Sequence, residues 1–224
     1  NVISDQELAR VAAQCREAGV PLIIDSAYGL PFPGMIYTEA TPFWDENTIL
    51  CLSLSKLGLP GVRTGIVVAD TAVTQLIRNA NAINGLAPAR IGPELLLPLI
   101  ERQQLSDLCE RVIKPHYLAK QQRAIDTMLT AAHDLPVRIH KPDGAMFLWT
   151  WFEGMPGGTD ELYRRGVDEG IITVPGRHFF QGLEASWQHA RECLRINYAG
   201  DPDVVCEGIE RLINIARRQY QGAP

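Results

Sequence analysis

The apolar residues of the first half of the chain fall into three short unbroken runs: Pro21-Leu22-Ile23-Ile24-Asp25, Thr48 to Ser53, and Thr64 to Ala69. Strands with one wet face alternate apolar and polar residues. Continuous runs point instead to strands covered on both faces, the habit of α/β proteins. Helical periodicity surrounds them. Ser4-Asp5-Gln6-Glu7 has the form of a capping box, and Leu8, Val11, Ala12 and Cys15 then recur on one face until Gly19. Asp70 can cap a second helix carrying Val73, Leu76, Ile77, Ala80 and Ile83 on one side. Three such strands with two or three helices cannot cover both faces of a sheet, so this part reads as a portion of a larger domain.

The pattern then changes. From Pro93 to about Ala132 it is helical, with Pro98 and Pro115 expected to kink or divide it. Val137 to His140 and Ala145 to Phe152 flank Lys141-Pro142-Asp143-Gly144 and predict a hairpin. A helix over 159–169, strands over 171–174 and 194–197, and a last helix from Pro202 complete an α+β unit. Two domains are expected: residues 1–105 as a partial large α/β domain with a mostly parallel sheet, and 106–224 as a small C-terminal α+β domain.

Composition narrows the function classes. A net charge of -5 disfavours nucleic acid and acidic membrane surfaces, since both reward a basic face. No apolar stretch approaches the roughly 20 residues of a membrane helix. The first residues show neither the basic start nor the apolar core of a signal peptide. The five cysteines (Cys15, Cys51, Cys109, Cys193, Cys206) are odd in number and form no Cys-x-x-Cys pair, which reads as reduced thiols in a cytoplasmic protein. The histidines are scattered, and no metal site is expected.

The chemistry concentrates in Ser53-Leu54-Ser55-Lys56-Leu57-Gly58-Leu59-Pro60-Gly61-Val62-Arg63. Two hydroxyls, an amine and a guanidinium stand between two apolar runs, with small residues separating them. Such a turn can hold an anion and an electrophilic carbonyl together, which is what a pyridoxal phosphate site needs. Asp25 closes its own run and could hold a pyridine nitrogen protonated, and Tyr28, three residues on, could donate to a phenolate oxygen. Alone, an acid after a strand is more often a helix cap or turn former. Arg195, inside Leu194-Arg195-Ile196-Asn197-Tyr198, needs a partner: a substrate carboxylate, or a structural acid of the same domain. Ser53-Leu54-Ser55-Lys56 also fits the Ser-x-x-Lys of penicillin-binding enzymes, but the serine ends a strand, Pro60 blocks a helix, and no Ser-Asp-Asn occurs.

Taken together, Asp25-x-x-Tyr28, Ser53-x-Ser55-Lys56, Pro60-Gly61-x-Arg63-x-Gly65 and Arg195 resemble the fold-type I PLP-dependent aminotransferases. Lys141 to Trp149 and Val174-Pro175-Gly176 are similar to segments of the bacterial valine–pyruvate subgroup. The resemblance implies that Lys56 forms the Schiff base with pyridoxal 5′-phosphate and shuttles the proton. It implies that Asp25 pairs with the pyridinium nitrogen and Tyr28 with O3′, and that Ser53, Ser55 and Arg63 grip the phosphate. Arg195 would take the substrate α-carboxylate, and Tyr28 would also line the substrate pocket, joined by Phe147 or Phe179. The implied reaction is ping-pong exchange between a small aliphatic amino acid (valine, alanine) and a 2-oxo acid (pyruvate, 2-oxoisovalerate), in a homodimer. Alternatives are an aromatic or broad-range aminotransferase, a carbon–sulfur lyase, or a PLP-binding sensor domain of a transcription regulator. The family's long N-terminal segment is not seen, so the chain is expected to be a C-terminal portion of a longer enzyme that binds the cofactor poorly alone.

Overall fold

A computed structural model describes residues 2–184 and 186–222. The chain divides into two compact units, Asn1–His116 with Asp143–Ala145, and Tyr117–Pro142 with Met146–Pro224. The expected α/β class is observed.

In the first unit, helix α1 (Asp5–Glu17) starts on the expected capping box. Glu7 N donates to Ser4 Oγ at 3.2 Å, and Ser4 N donates to Glu7 Oε2 at 3.2 Å. Strand β1 (Leu22–Asp25) pairs parallel with β2 (Thr48–Ser53), placing Asp25 beside Cys51. Strand β3 (Gly65–Val68) pairs antiparallel with β2, placing Gly65 beside Ser53. The parallel expectation therefore holds for the first pair alone. The connection over 54–64 contains no crossover helix, and a parallel return needs one. In consequence the ends of β1 and β2 and the start of β3 meet along one edge.

Helices α2 (Thr71–Gly85), α3 (Ile91–Glu101) and α4 (Gln104–Leu108) follow, then a π turn at Cys109–Ile113 and helix α5 (Lys114–Ala131). Pro98 sits inside α3 without dividing it. The break comes at Gln103, whose φ is 56°, and Pro115 falls in the first turn of α5 beside the irregular π turn, where a missing amide costs least. Leu50, Leu52, Leu54, Leu57, Phe32, Leu96, Leu105 and Cys109 form the core of this unit. The apolar stripe of α2 is covered only in part: Val73 and Ile77 are half-buried, whereas Leu76 is 69% and Ile83 83% exposed.

In the second unit an antiparallel sheet runs in the order β4-β5-β7-β6, with β4 (Val137–Ile139), β5 (Phe147–Phe152), β6 (Val174–Pro175) and β7 (Cys193–Asn197). The β4–β5 pairing is the expected hairpin, but its connection is no tight turn. Residues 143–145 pair within the first unit, where Tyr37 N donates to Asp143 O and Ala145 N to Met35 O, both at 2.8 Å. β6 starts later than expected because Ile171 N donates to Gly166 O at 2.7 Å, closing the end of helix α6 (Gly158–Asp168) and delaying entry into the ladder. Helix α7 (Gln188–Glu192) and helix α8 (Pro202–Tyr220) complete the unit, the latter burying Ile209, Leu212, Ile213, Ile215 and Ala216. The buried Glu192 carboxylate is fully used, accepting from Trp151 Nε1 at 2.8 Å, Gly154 N at 3.0 Å and Gln188 Nε2 at 2.7 Å. All five cysteines are free thiols, and burial pushes Cys109 and Cys193 up to about 11. No helix among the described residues is long and apolar enough to cross a membrane.

Arg217 of α8 holds Asp134 through two hydrogen bonds of 2.8 Å and also donates to Ala131 O at 2.8 Å, at the end of α5. These bonds lower the Asp134 carboxyl from 3.8 to about 2. A depressed carboxylate contributes stability that is fully present above its unfolded value and is lost as pH falls through its folded one. The stability difference between the native chain and Asp134→Asn should therefore be constant above about pH 5 and shrink steadily toward about pH 2. Thermal unfolding across that range checks this, and a difference that ignores pH would contradict it.

Candidate active site

The edge shared by β1, β2 and β3 is where a ligand would be met, beyond the carboxyl ends of the parallel strands. Leaving β2, the chain makes a 3₁₀ turn over Leu54–Leu57. Period three puts Leu54 and Leu57 on one side, where they are 0% and 9% exposed. Burying each contributes about 2 kcal/mol and fixes the turn. Ser55 and Lys56, between them, remain half-exposed. Ser53 caps the turn, its Oγ accepting from Ser55 N at 3.2 Å. Gly58 ends it at φ 100°, a conformation a side chain would oppose.

A second 3₁₀ turn, Pro60–Val62, leads to Arg63, whose φ of 48° and ψ of 46° are left-handed. For a residue other than glycine this costs about 1 kcal/mol. The turn is tied across its base, because Leu54 N donates to Thr64 O at 3.2 Å. It is also buttressed by α3. A Cβ added at Gly92 would fall on Thr64 Oγ1 and lie 2.7 Å from Thr64 Cβ, so only glycine lets the helix approach this closely.

Lys56 Nζ lies over the Tyr28 ring, 5.2 Å from its centroid, which brings these two predicted residues together. Asp25 stands exposed at the end of β1, its Oδ1 accepting from Ala27 N at 3.1 Å. Asp25, Ser53 and Arg63 share the edge through the strand register, although no hydrogen bond or ion pair among the described residues joins Asp25 to Lys56 or Arg63. Arg195 belongs to the second unit, on β7. It has no acidic partner among the described residues. Its guanidinium lies 4.4 Å from the Phe147 ring centroid and 4.8 Å from that of Phe179. Aromatic faces thus stand where an acid is the structural partner expected from sequence. The Gly92–Thr64 contact is signalled in the sequence only by a lone glycine early in an apolar helix.

The donor set fits pyridoxal phosphate. An amine and an exposed guanidinium stand on the one connection between β2 and β3, neither committed to a carboxylate among the described residues, with open space around Gly58 and Gly61. Two hydroxyls accompany them and a carboxylate ends the adjacent strand. Anion, aldehyde and ring nitrogen each have a matching group.

The fold is that of the PLP-transferases of fold type I. The chain belongs to the aminotransferase class I and II family, which it matches over residues 1–212. It is similar to the valine–pyruvate aminotransferase of Escherichia coli K12, with 44% identity over 98% of this chain and 53% of the relative. The crystal structure of valine-pyruvate aminotransferase AvtA from Salmonella typhimurium LT2 superimposes with a TM-score of 0.93 at 43% identity, covering 99% of this chain and 57% of that one. A 2-aminoadipate transaminase of Thermus thermophilus is 27% identical over 88% of this chain and 44% of its own length. The chain thus spans about half the length of the curated relatives it matches. Pyridoxal phosphate is the cofactor of this family.

Gly92→Ala should push Thr64 and the adjoining Arg63 turn outward, lowering stability by about 1–3 kcal/mol. Gly61→Ala, which meets nothing within 4 Å, should cost far less. Denaturant midpoints for the two variants check this. Equal midpoints would show that α3 does not buttress the turn.

Proposed function

We propose that this chain carries the cofactor lysine, the phosphate grip and the carboxylate anchor of a PLP-dependent transaminase that exchanges amino groups between valine or alanine and pyruvate or 2-oxoisovalerate. The observation that carries the reading is the Lys56–Arg63 turn: both cations are set at strand ends by buried leucines and neither is spent on an acid among the described residues. Other lysines are occupied differently. Lys114 pairs with Glu110 at 3.6 Å, and Lys120 donates to Ala199 O and Gly200 O at 2.7 and 2.8 Å.

When bound, pyridoxal phosphate supplies an electron-withdrawing ring that stabilises negative charge at the substrate's α-carbon. In this reading the protein's groups bind and orient. Lys56 Nζ would hold the cofactor's aldehyde carbon and, once displaced from it by the substrate's amine, would be free to take up and return the proton of the substrate Cα. Asp25 accepts the ring N–H, keeping that nitrogen protonated, and Tyr28 donates its hydroxyl toward O3′. Ser53 and Ser55 offer hydroxyls to the phosphate, and Arg63 offers a planar fork. Arg195 takes the α-carboxylate, with Tyr28 lining the pocket. The first unit corresponds to part of a large cofactor-binding domain and the second to a small C-terminal domain. A cytoplasmic homodimer is the assembly we infer, and the apolar residues that α2 and α3 leave exposed, such as Ile83 and Ile91, are suited to being covered in it. The choice of valine and pyruvate is supported by the identity to the Escherichia coli relative.

The test uses the enzyme with its full chain. Lys56→Arg should lower transamination between valine and pyruvate by about a thousandfold or more, since both the cofactor's anchor and the proton carrier are lost. The native enzyme should prefer valine over phenylalanine as donor. Undiminished turnover in the variant would remove Lys56 from the reaction, and a preference for aromatic donors would replace the substrate assignment.

A further inference from the structure

The face of the second unit's sheet around Arg195 is built differently from an ordinary arginine site. β7 places Arg195 opposite Trp149 of β5 and Val174 of β6, and it places Asn197 opposite Phe147. Side chains two apart on a strand share a face, so Phe147, Trp149, Val174 and Arg195 all lie on one side of the sheet. Phe179 reaches that side from the 3₁₀ turn Gly176–Phe179, which follows β6. The turn has little freedom. A Cβ on Gly176 would lie 2.6 Å from Cys193 Cβ and 2.7 Å from Ala190 O, so glycine lets the turn press directly against β7. Trp149 then meets Phe179 edge-on, with centroids 5.2 Å apart and planes at 89°.

The result is a guanidinium with an aromatic ring 4.4 Å away on Phe147 and another 4.8 Å away on Phe179. An arginine that is half-buried in a sheet is usually held by an acid, which neutralises its charge and occupies its N–H groups. Aromatic rings do neither. They attract the cation through their π faces and take none of the in-plane donors. No hydrogen bond or ion pair to Arg195 is made among the described residues, so its fork keeps both its charge and its donors for a ligand.

We propose that Phe147 and Phe179 are positioning residues that hold Arg195 in place as a carboxylate fork, in lieu of a structural acid. The proposal rests on reading Arg195 as the carboxylate anchor. Amino acid and 2-oxo acid both carry the α-carboxylate, so the clamp acts on both halves of the exchange. It acts on binding more than on the chemical step.

The experiment replaces each phenylalanine in the full-length enzyme, singly, by leucine and by a fluorinated phenylalanine that keeps the ring's size while weakening its π face. KM for valine and for pyruvate, and the inhibition constant of isovalerate, should each rise by about threefold to tenfold with either replacement. kcat and cofactor affinity, the latter read by absorbance titration, should fall far less than binding, and Phe179→Tyr, which keeps a π face, should raise KM less than Phe179→Leu does. Arg195→Leu provides the separate control. If it abolishes isovalerate binding while the fluorinated enzymes bind as the native one does, the clamp is overturned and the anchor stands. If Arg195→Leu leaves isovalerate binding intact, the anchor itself is overturned. A rise in KM with leucine and none with the fluorinated ring would reduce the role to packing and also overturn the proposal.

Discussion

Leu54 and Leu57 hold the first unit's chemistry in place. They lie three residues apart on a 3₁₀ turn, so one side of the turn belongs to the core while Ser55 and Lys56 face the edge. Antiparallel pairing of β2 with β3 closes the same loop from the other end, tying Leu54 N to Thr64 O and fixing where Arg63 can stand. Several residues between are conformationally special: Gly58 in a glycine conformation, Pro60 opening a second turn, Arg63 held left-handed. An amine and a guanidinium are thereby kept at a set spacing by apolar burial rather than by ion pairs with acids. Hydrophobic anchoring leaves their charges unspent on any acid among the described residues, as a grip on an anionic cofactor would require.

The second unit solves a related problem with different means. Arg195 sits within a sheet, where an uncompensated charge is costly, and the compensation comes from aromatic faces instead of a carboxylate. The wish to keep a cation available runs through both units. In one, a turn lifts the cations to an edge; in the other, rings hold the cation by its flat faces.

Much of this was legible in the sequence for definable reasons. The capping box at Ser4, the runs that became β1, β2 and β3, the cap at Asp70 and the helix opening at Pro202 are local signals, and each appears where its pattern placed it. What escaped the reading was nonlocal. The reversal of β3, the diversion of residues 143–145 into the first unit and the late start of β6 depend on hydrogen bonds to distant or preceding segments. The α2 stripe reads as a buried face by periodicity, yet burial requires a neighbour, and periodicity cannot supply one. Likewise the motif residues of the site were visible as types in order, whereas their supports, Gly92 behind Arg63 and Phe147 and Phe179 about Arg195, act through approach in space. The family assignment rested on the motif set, and the match to aminotransferase class I and II over residues 1–212 agrees with it.

The central claim is that one lysine, set by the turn at the end of β2, anchors the cofactor. Borohydride reduction of the full-length, pyridoxal phosphate-loaded enzyme, followed by peptide mass mapping, tests it most directly. The account predicts a pyridoxyl adduct on Lys56 and none in stoichiometric amount on Lys114, Lys120 or Lys141. An adduct confined to those other lysines, or spread evenly over all of them, would contradict it.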